Sequence, residues 1–332
     1  MSRIPLASCT LAALTGVAAL AVGQGAPASP VTLGRLETNA AERPLGIDDS
    51  VVRLSWTLVG EQRGLMQAAY RVLVASRPEL VQEGRADVWD TGLVESQDPW
   101  CVYAGPGLES RTRYYWSVSV RTNLGTRTTW TPATWFETAL LDPGEWRGEW
   151  IAGPERTRDL KPEQGAADDA RVRSAGEFCR PVGWLTRGFA SRIPNDQGEC
   201  REIRPAPMLR RSFELTKPLA RARVYSSGLA YNQLSVNGEA TSESVLDPGF
   251  THYGKTVLYT THDVTALLRA GENVIATELG SGHFDDATRT WDWGWDRAEW
   301  RADPRLRLDL YVTYEDGTEE LVTSDGTWKA SV

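Results

Sequence analysis

The sequence predicts an all-β chain built as two consecutive antiparallel β-sandwiches. Three observations carry this reading. Apolar and polar residues alternate in short runs, the period of a half-buried strand. Turn dipeptides such as Asn237-Gly238, Asp316-Gly317 and Asp325-Gly326 interrupt those runs at intervals of roughly 8–12 residues. No stretch of the chain keeps the apolar period of a long helix. Leu141-Asp142-Pro143-Gly144 is a breaker cluster after a strand pattern and divides the units into 31–141 and 142–332.

Residues 1–30 read as an export signal. Arg3 supplies the positive start, and Leu6–Val22 is an uncharged run of small apolar residues. Ala19-Leu20-Ala21 and Ala26-Pro27-Ala28 offer cleavage sites, so the protein is expected in the periplasm or outside the cell. The run is too short and too rich in alanine for a membrane anchor, so no membrane span is expected. Leu6-Ala7-Ser8-Cys9 mimics a lipoprotein box, but the cysteine comes before a full apolar region.

The first unit shows its strands in order. Arg53–Leu58 turns Trp56 inward, and Ala69–Ala75 alternates again. Trp89-Asp90-Thr91-Gly92 is a strand end and turn. Leu108, Tyr114, Trp116, Val118 and Val120 then share one face, and residues 130–140 supply the last strand. In the second unit Glu149–Ala152 opens the sandwich, and periodicity then disappears over an irregular insertion at 155–205. Met208–Leu215, Ala222–Ser226, the run ending at Asn237-Gly238, and Lys255–Thr260 read as strands. Asp263–Leu268 reads as a brief helical turn closed by Gly271. Asn273–Leu279, Leu306–Val312, Glu319–Thr323 and Trp328-Lys329 follow as strands. A jelly roll needs about eight strands to cover its edges, and fewer are legible, so this sandwich is expected to be incomplete at its C-terminal end.

Composition narrows the partners. The 332-residue chain has 36 basic and 44 acidic residues, a net charge of −8, and no basic cluster, which argues against nucleic acid or an anionic membrane. Its 14 tryptophans against 6 phenylalanines suit flat, partly apolar ligands such as sugar rings, and suit protein interfaces equally. Of the cysteines, Cys179 and Cys200 form either a disulfide bracing the insertion or two free thiols. Cys101 lies in an apparent strand and reads as a small buried hydrophobe. No CxxC, HExxH, serine-nucleophile or phosphate-loop motif is present, and His252, His262 and His283 stand alone.

The best candidate site is the loop Gly280–Trp300, "GSGHFDDATRTWDWGWDRAEW". Aromatic faces stack on sugar C–H surfaces and carboxylates accept pairs of hydroxyl hydrogen bonds, which points to Trp291, Trp293, Trp295, Asp292 and Asp296 as carbohydrate contacts. Packing into the sandwich or against a neighbouring domain is the competing use of the same tryptophans. Asp285 and Asp286 have the oxygen ligands a calcium ion takes, although the EF-hand spacing is missing; no other cofactor is indicated. Asp247-Pro248-Gly249-Phe250 reads as a turn packing Phe250 under the sandwich, and Tyr225, Tyr231 and Tyr259 as strand-face residues.

The stretch "SGLAYNQLSVNGE…VLDPGFTHYGKTVLYTTHDVTALLRAGENVIATELGSG" closely resembles the N-terminal accessory domain of bacterial α-L-rhamnosidases. Its core, "VNG" followed by "DVTALLRAGENVIA", also occurs across galactose-binding-like jelly-roll sandwiches. In the first unit the Leu108-x5-Tyr114 spacing resembles the tyrosine corner of fibronectin type III sandwiches. "AERPLGIDDSVVRLSWTL" and "YYWSVSVRT" resemble the leading domain of the same rhamnosidases. The resemblance implies a fibronectin III-like domain followed by a galactose-binding-like one, with the insertion as a departure from the family pattern. It implies that the chain is the N-terminal third of an enzyme releasing terminal α-L-rhamnose by inversion. That chemistry needs two facing carboxylates, which the family carries in a C-terminal (α/α)6 barrel. No position here matches them, so this chain is expected to be non-catalytic. Its implied partners are a rhamnose-containing glycan and the C-terminal catalytic domain. Some accessory domains of the family bind rhamnose through calcium, which the resemblance adds to the oxygen-ligand argument for Asp285 and Asp286. A free-standing carbohydrate-binding protein, a structural or adhesion module, and a hydrolase in its own right are the rival readings.

Overall fold

The computed structural model describes residues 31–154, 206–229, 231–285, 298–300 and 302–331. Residues 1–30, residues 155–205 with Cys179 and Cys200, and the stretch from Asp286 to Asp296 lie outside the described residues. The described strands form four sheets in two sandwiches.

The first sandwich contains β1 (Thr32–Thr38), β2 (Arg53–Val59), β3 (Gln67–Ala75), β4 (Trp89–Asp90), β5 (Val94–Glu95), β6 (Trp100–Val102), β7 (Arg113–Thr122) and β8 (Thr134–Glu137). One sheet runs β1-β2-β6. The other runs β4-β3-β7-β8, with β5 also on β3. Alternation drives the packing: Leu54 and Trp56 from one sheet meet Tyr70, Val72, Val74, Tyr114, Trp116, Val118 and Val120 from the other. Cys101 is buried there as a free thiol, and burial pushes its pKa up to about 12. The tyrosine corner is present, since the Glu109 N–H donates to the Tyr114 hydroxyl at 2.8 Å and Leu108 packs against the core. Tyr114→Phe leaves that half-buried N–H without its acceptor. An expected loss of about 1–2 kcal/mol in urea denaturation follows, and an unchanged midpoint would deny the corner a stabilising role.

The second sandwich contains β9 (Ile151–Ala152), β10 (Met208–Leu215), β11 (Leu219–Leu229), β12 (Tyr231–Val236), β13 (Glu239–Ala240), β14 (Thr260–Asp263), β15 (Gly271–Gly280), β16 (Arg305–Tyr314), β17 (Glu319–Thr323) and β18 (Lys329–Ser331). One sheet runs β13-β12-β15-β10-β18, the other β14-β11-β16-β17 with β9 on β16. Leu209, Val224, Leu234, Ile275, Leu279, Leu306, Leu308 and Leu310 fill the space between them. β13 is a strand that alternation did not reveal, because a two-residue piece is too short to show a period.

The "VNG…AGEN" pattern has a physical explanation. Asn237 and Gly238 both take positive φ, 54° and 87°, as a two-residue hairpin turn requires. The Asn237 side chain donates to the Leu267 carbonyl (2.8 Å) and to Asn273 Oδ1 (2.9 Å), and accepts from the Val274 N–H (2.9 Å). Asn273, fully buried, donates to the carbonyls of Arg269 and Gly271 and accepts from the Arg269 N–H. The two amides thus clip the short 3-10 turn Thr265–Leu267 to the hairpin.

Two local expectations change. Lys255–Thr260 is a strand only from Thr260, because the Lys255 and Thr256 N–H groups turn back to the His252 carbonyl (2.8 and 3.0 Å). Phe250 does not go under the sandwich. It is 42% exposed at the sandwich end, with its ring 4.6 Å from His283 and 5.8 Å from Tyr253.

β11 is buried on both faces, and its second face meets the first sandwich. Glu137, at the end of β8, is 1% exposed; Arg223 beside it is 5% exposed. Arg223 Nε donates to Glu137 Oε1 at 2.6 Å, and Arg113 Nε donates to Oε2 at 3.0 Å. Arg221 stands 3.9 Å away. Around this cluster Ala139, Leu140 and Tyr225 pack with Trp146, Tyr259 and Tyr311. The connecting segment is fastened as well: the Asp309 carboxylate accepts from the N–H groups of Arg147 (2.8 Å) and Gly148 (2.6 Å). The two sandwiches therefore share one packed seam.

Candidate functional site

Outward positions on the sheet β13-β12-β15-β10-β18 form a concave face. Register places Ala276 between Ser235 and Arg210, and Glu278 between Gln233 and Met208. Lys329 pairs with Arg210 at the edge. Small side chains in the middle and longer ones around them leave a groove of about 710 Å3. Its floor offers Arg210, Gln233, Ser235, Glu278 and Lys329 for hydrogen bonding, with half-exposed Met208 as an apolar contact. Glu278 is the one carboxylate in that lining. A glycosidase needs an acid and a base across the scissile bond, so the groove has binding chemistry without a catalytic pair.

A second feature is the aromatic end of the same sandwich. Leu229, Tyr253 and Phe284 are buried together, with Tyr231 and Trp300 against them. Tyr253 lies edge-on to Phe284 (5.3 Å), and His252 lies 4.4 Å from Trp300. These residues flank the loop carrying the predicted sugar contacts. Trp291, Trp293, Trp295, Asp292 and Asp296 lie outside the described residues, as does Asp286. Asp285 is described and buried. Among the described residues no group of three or more His, Cys, Asp or Glu side chains is placed to hold a metal ion. His262 is half-buried, with Nε2 3.0 Å from Thr260 Oγ1, and burial lowers its pKa despite Asp247 nearby. Tyr225 packs from a face of β11, as read, and that face is the seam; Tyr259, just before β14, packs there too. Burial raises both phenols, so they remain neutral at physiological pH.

Comparison with known proteins identifies both units. Residues 33–142 match the Rha78A-like N-terminal immunoglobulin domain, and residues 217–332 match the alpha-L-rhamnosidase N-terminal domain. The chain belongs to the N-terminal region of the α-L-rhamnosidase family. An alpha-L-rhamnosidase of Formosa agariphila is 33% identical over 88% of the chain, which covers 29% of that protein. One from Streptomyces avermitilis is 27% identical over 87% of the chain, covering 40% of its length. The solved α-L-rhamnosidase of Dictyoglumus thermophilum superposes with a TM-score of 0.73 at 29% identity, over 92% of this chain and 30% of that one. The S. avermitilis structure, complexed with L-rhamnose, gives 0.72 at 24% identity over 91% of this chain and 41% of that one, a likeness of fold. This chain spans less than half the length of each of these relatives. No helix among the described residues is long and apolar enough to cross a membrane.

The groove and the seam escaped the sequence reading for different reasons. The groove is made mainly of outward residues of ordinary polarity from five strands spread along the second unit, and no motif marks it. The seam had one signal: in "LARARVYSSGL" consecutive residues from Ala222 to Leu229 are buried, and a half-buried strand would alternate. The run of small and polar residues concealed it.

Proposed function

We propose that this chain is the N-terminal accessory part of an exported α-L-rhamnosidase, acting in the periplasm or outside the cell. It positions the domains of the whole protein and helps to hold a rhamnose-containing glycan, while cleavage falls to a catalytic domain beyond these two sandwiches. The observation that carries this reading is the pair of rhamnosidase N-terminal domains, adjacent, in order, and packed across the Glu137 seam. A seam of that kind makes the pair one arm with a fixed geometry. The single carboxylate of the groove supports a binding role. Sugar contact is assigned to Trp291, Trp293, Trp295, Asp292 and Asp296 on the chemistry of their side chains.

The test has two measurements. The chain alone, incubated with an aryl α-L-rhamnoside, is expected to release no phenol, and any release abolished by a single carboxylate change would overturn the non-catalytic reading. Calorimetric titration with a rhamnose-terminated oligosaccharide is expected to saturate, with Trp293→Ala weakening it about tenfold, the scale of a lost stacking contact. An unchanged affinity in that variant would remove the loop from the binding surface.

A further inference from the structure

The first sandwich carries a cleft that the rhamnosidase reading does not use. It opens on the side where the edge strand β6 faces β4 and β5 of the other sheet, and holds about 380 Å3. Tyr70, Trp89 and Trp100 wall it, while Asp90, Ser96 and Asp98 bring oxygen atoms to it. The volume is at the low end of the roughly 300–1,000 Å3 range of small-molecule sites, which suits one sugar ring better than a long chain. None of these residues takes part in the seam.

The walls are held in place before any ligand arrives. Buried Gln67 accepts from Trp56 Nε1 (2.8 Å) and donates to the carbonyls of Ser96 (3.1 Å) and Asp98 (2.5 Å), pinning the rim. Arg71 grips Asp90 through Nε (2.8 Å) and Nη2 (2.6 Å), and the Gly92 N–H adds a third bond (2.9 Å). Trp89 lies edge-on to Tyr103 at 5.0 Å. Trp100 is 39% exposed, with the Arg53 guanidinium 4.6 Å from its ring centre. Fixed aromatic walls and a fixed rim reduce the ordering cost of binding.

Charge selects the ligand class. The lining has two carboxylates and neither Lys nor Arg, which disfavours an anionic sugar. Asp90 is kept ionised below the usual carboxylate range by its bond to Arg71, so it accepts hydrogen bonds and serves poorly as a general acid. The buried Cys101 thiol stays protonated, so it is no nucleophile. Such a cleft binds without cleaving.

We propose that the cleft walled by Trp89, Trp100 and Tyr70 and rimmed by Ser96 and Asp98 binds a single neutral pyranose, as a second glycan contact separate from the 291–296 loop. The C–H face of the ring lies against tryptophan, and adjacent hydroxyls donate to Asp98.

The experiment titrates the full chain with methyl α-L-rhamnoside, methyl α-D-mannoside and methyl α-D-galactoside, with glucuronate as the anionic control, followed by saturation-transfer NMR. At least one neutral glycoside is expected to saturate. Asp98→Asn, an exposed and conservative change, is expected to weaken it about tenfold, and Trp100→Ala to weaken it similarly, while Trp293→Ala retains this signal. Saturation by none of the neutral sugars overturns the proposal. So does equal binding of glucuronate, or binding abolished by Trp293→Ala and indifferent to Asp98→Asn. The two sites fail separately: loss of effect at Trp293 alone removes the loop, and loss of effect at Asp98 and Trp100 removes the cleft.

Discussion

Replacing Glu137 with alanine is expected to lower the unfolding free energy by about 3–5 kcal/mol, the range for removing one partner of a buried ion pair. Glu137 and Arg223 are almost fully buried, and Arg113 donates to the same carboxylate. Without Glu137, the Arg223 guanidinium keeps one bond to the Ala222 carbonyl and its contact with exposed Asp263 at 2.8 Å. Its remaining charge is left facing a desolvated seam. Urea denaturation followed by tryptophan fluorescence checks this. The variant is also expected to separate one transition into two, because the seam couples the sandwiches. Glu137→Met combined with Arg223→Met removes both buried charges and should recover most of the loss. A single-variant cost of about 1 kcal/mol or less, the level of exposed pairs, would mean that the cluster does not hold the sandwiches together.

Asp309→Ala carries the second large effect. The fully buried carboxylate accepts the N–H groups of Arg147 and Gly148, where the connecting segment enters the second sandwich. Alanine orphans two N–H groups at about 1–3 kcal/mol each, so a total near 4 kcal/mol is expected. The neighbouring position offers no relief, since a methyl on Gly148 would stand 2.4 Å from the Leu308 carbonyl oxygen. Burial also raises the Asp309 pKa, opposed by those two N–H bonds and by Arg307 and Arg147. A carboxyl that holds its proton more tightly in the folded state than in the unfolded one makes folding less favourable as pH rises. Its contribution therefore declines from the unfolded value near pH 4 up to the raised folded value, and is constant above it. Melting temperatures across that interval should show the native chain losing stability with rising pH relative to Asp309→Asn. A difference that grows in the opposite direction would place the pKa shift on the wrong side.

Strand positions were legible wherever alternation was long and one-sided. Leu108, Tyr114, Trp116, Val118 and Val120 were assigned one face from spacing, and all five pack into one core. Cys101 was read as a buried hydrophobe and is one. The Asn237-Gly238 hairpin was visible because few other residues accept positive φ at both positions. Lys255–Thr260 was misread because its composition suits a strand, while a local turn onto the His252 carbonyl satisfies the backbone first.

The site was less legible than the fold. A tryptophan-rich loop announces itself in sequence, whereas the first-sandwich cleft joins Tyr70 and Trp89 of one sheet to Trp100 of the other. No spacing rule links residues that meet only because two edges face each other. The seam is harder still, since Glu137 and Arg223 stand 86 residues apart and each is an ordinary charged residue in its own strand.

By itself, then, the sequence determined what depends on local order: the two-sandwich class, the family, and the turns that set strand register. Each of these is encoded in neighbouring residues, through period-two burial and backbone preference. Only the tertiary structure decided which faces are covered and which stay open. Burial of a charged side chain is settled by partners distant in the chain, so the Glu137–Arg223 seam, the Asp309 anchor and both concave surfaces emerge only when the sheets are packed.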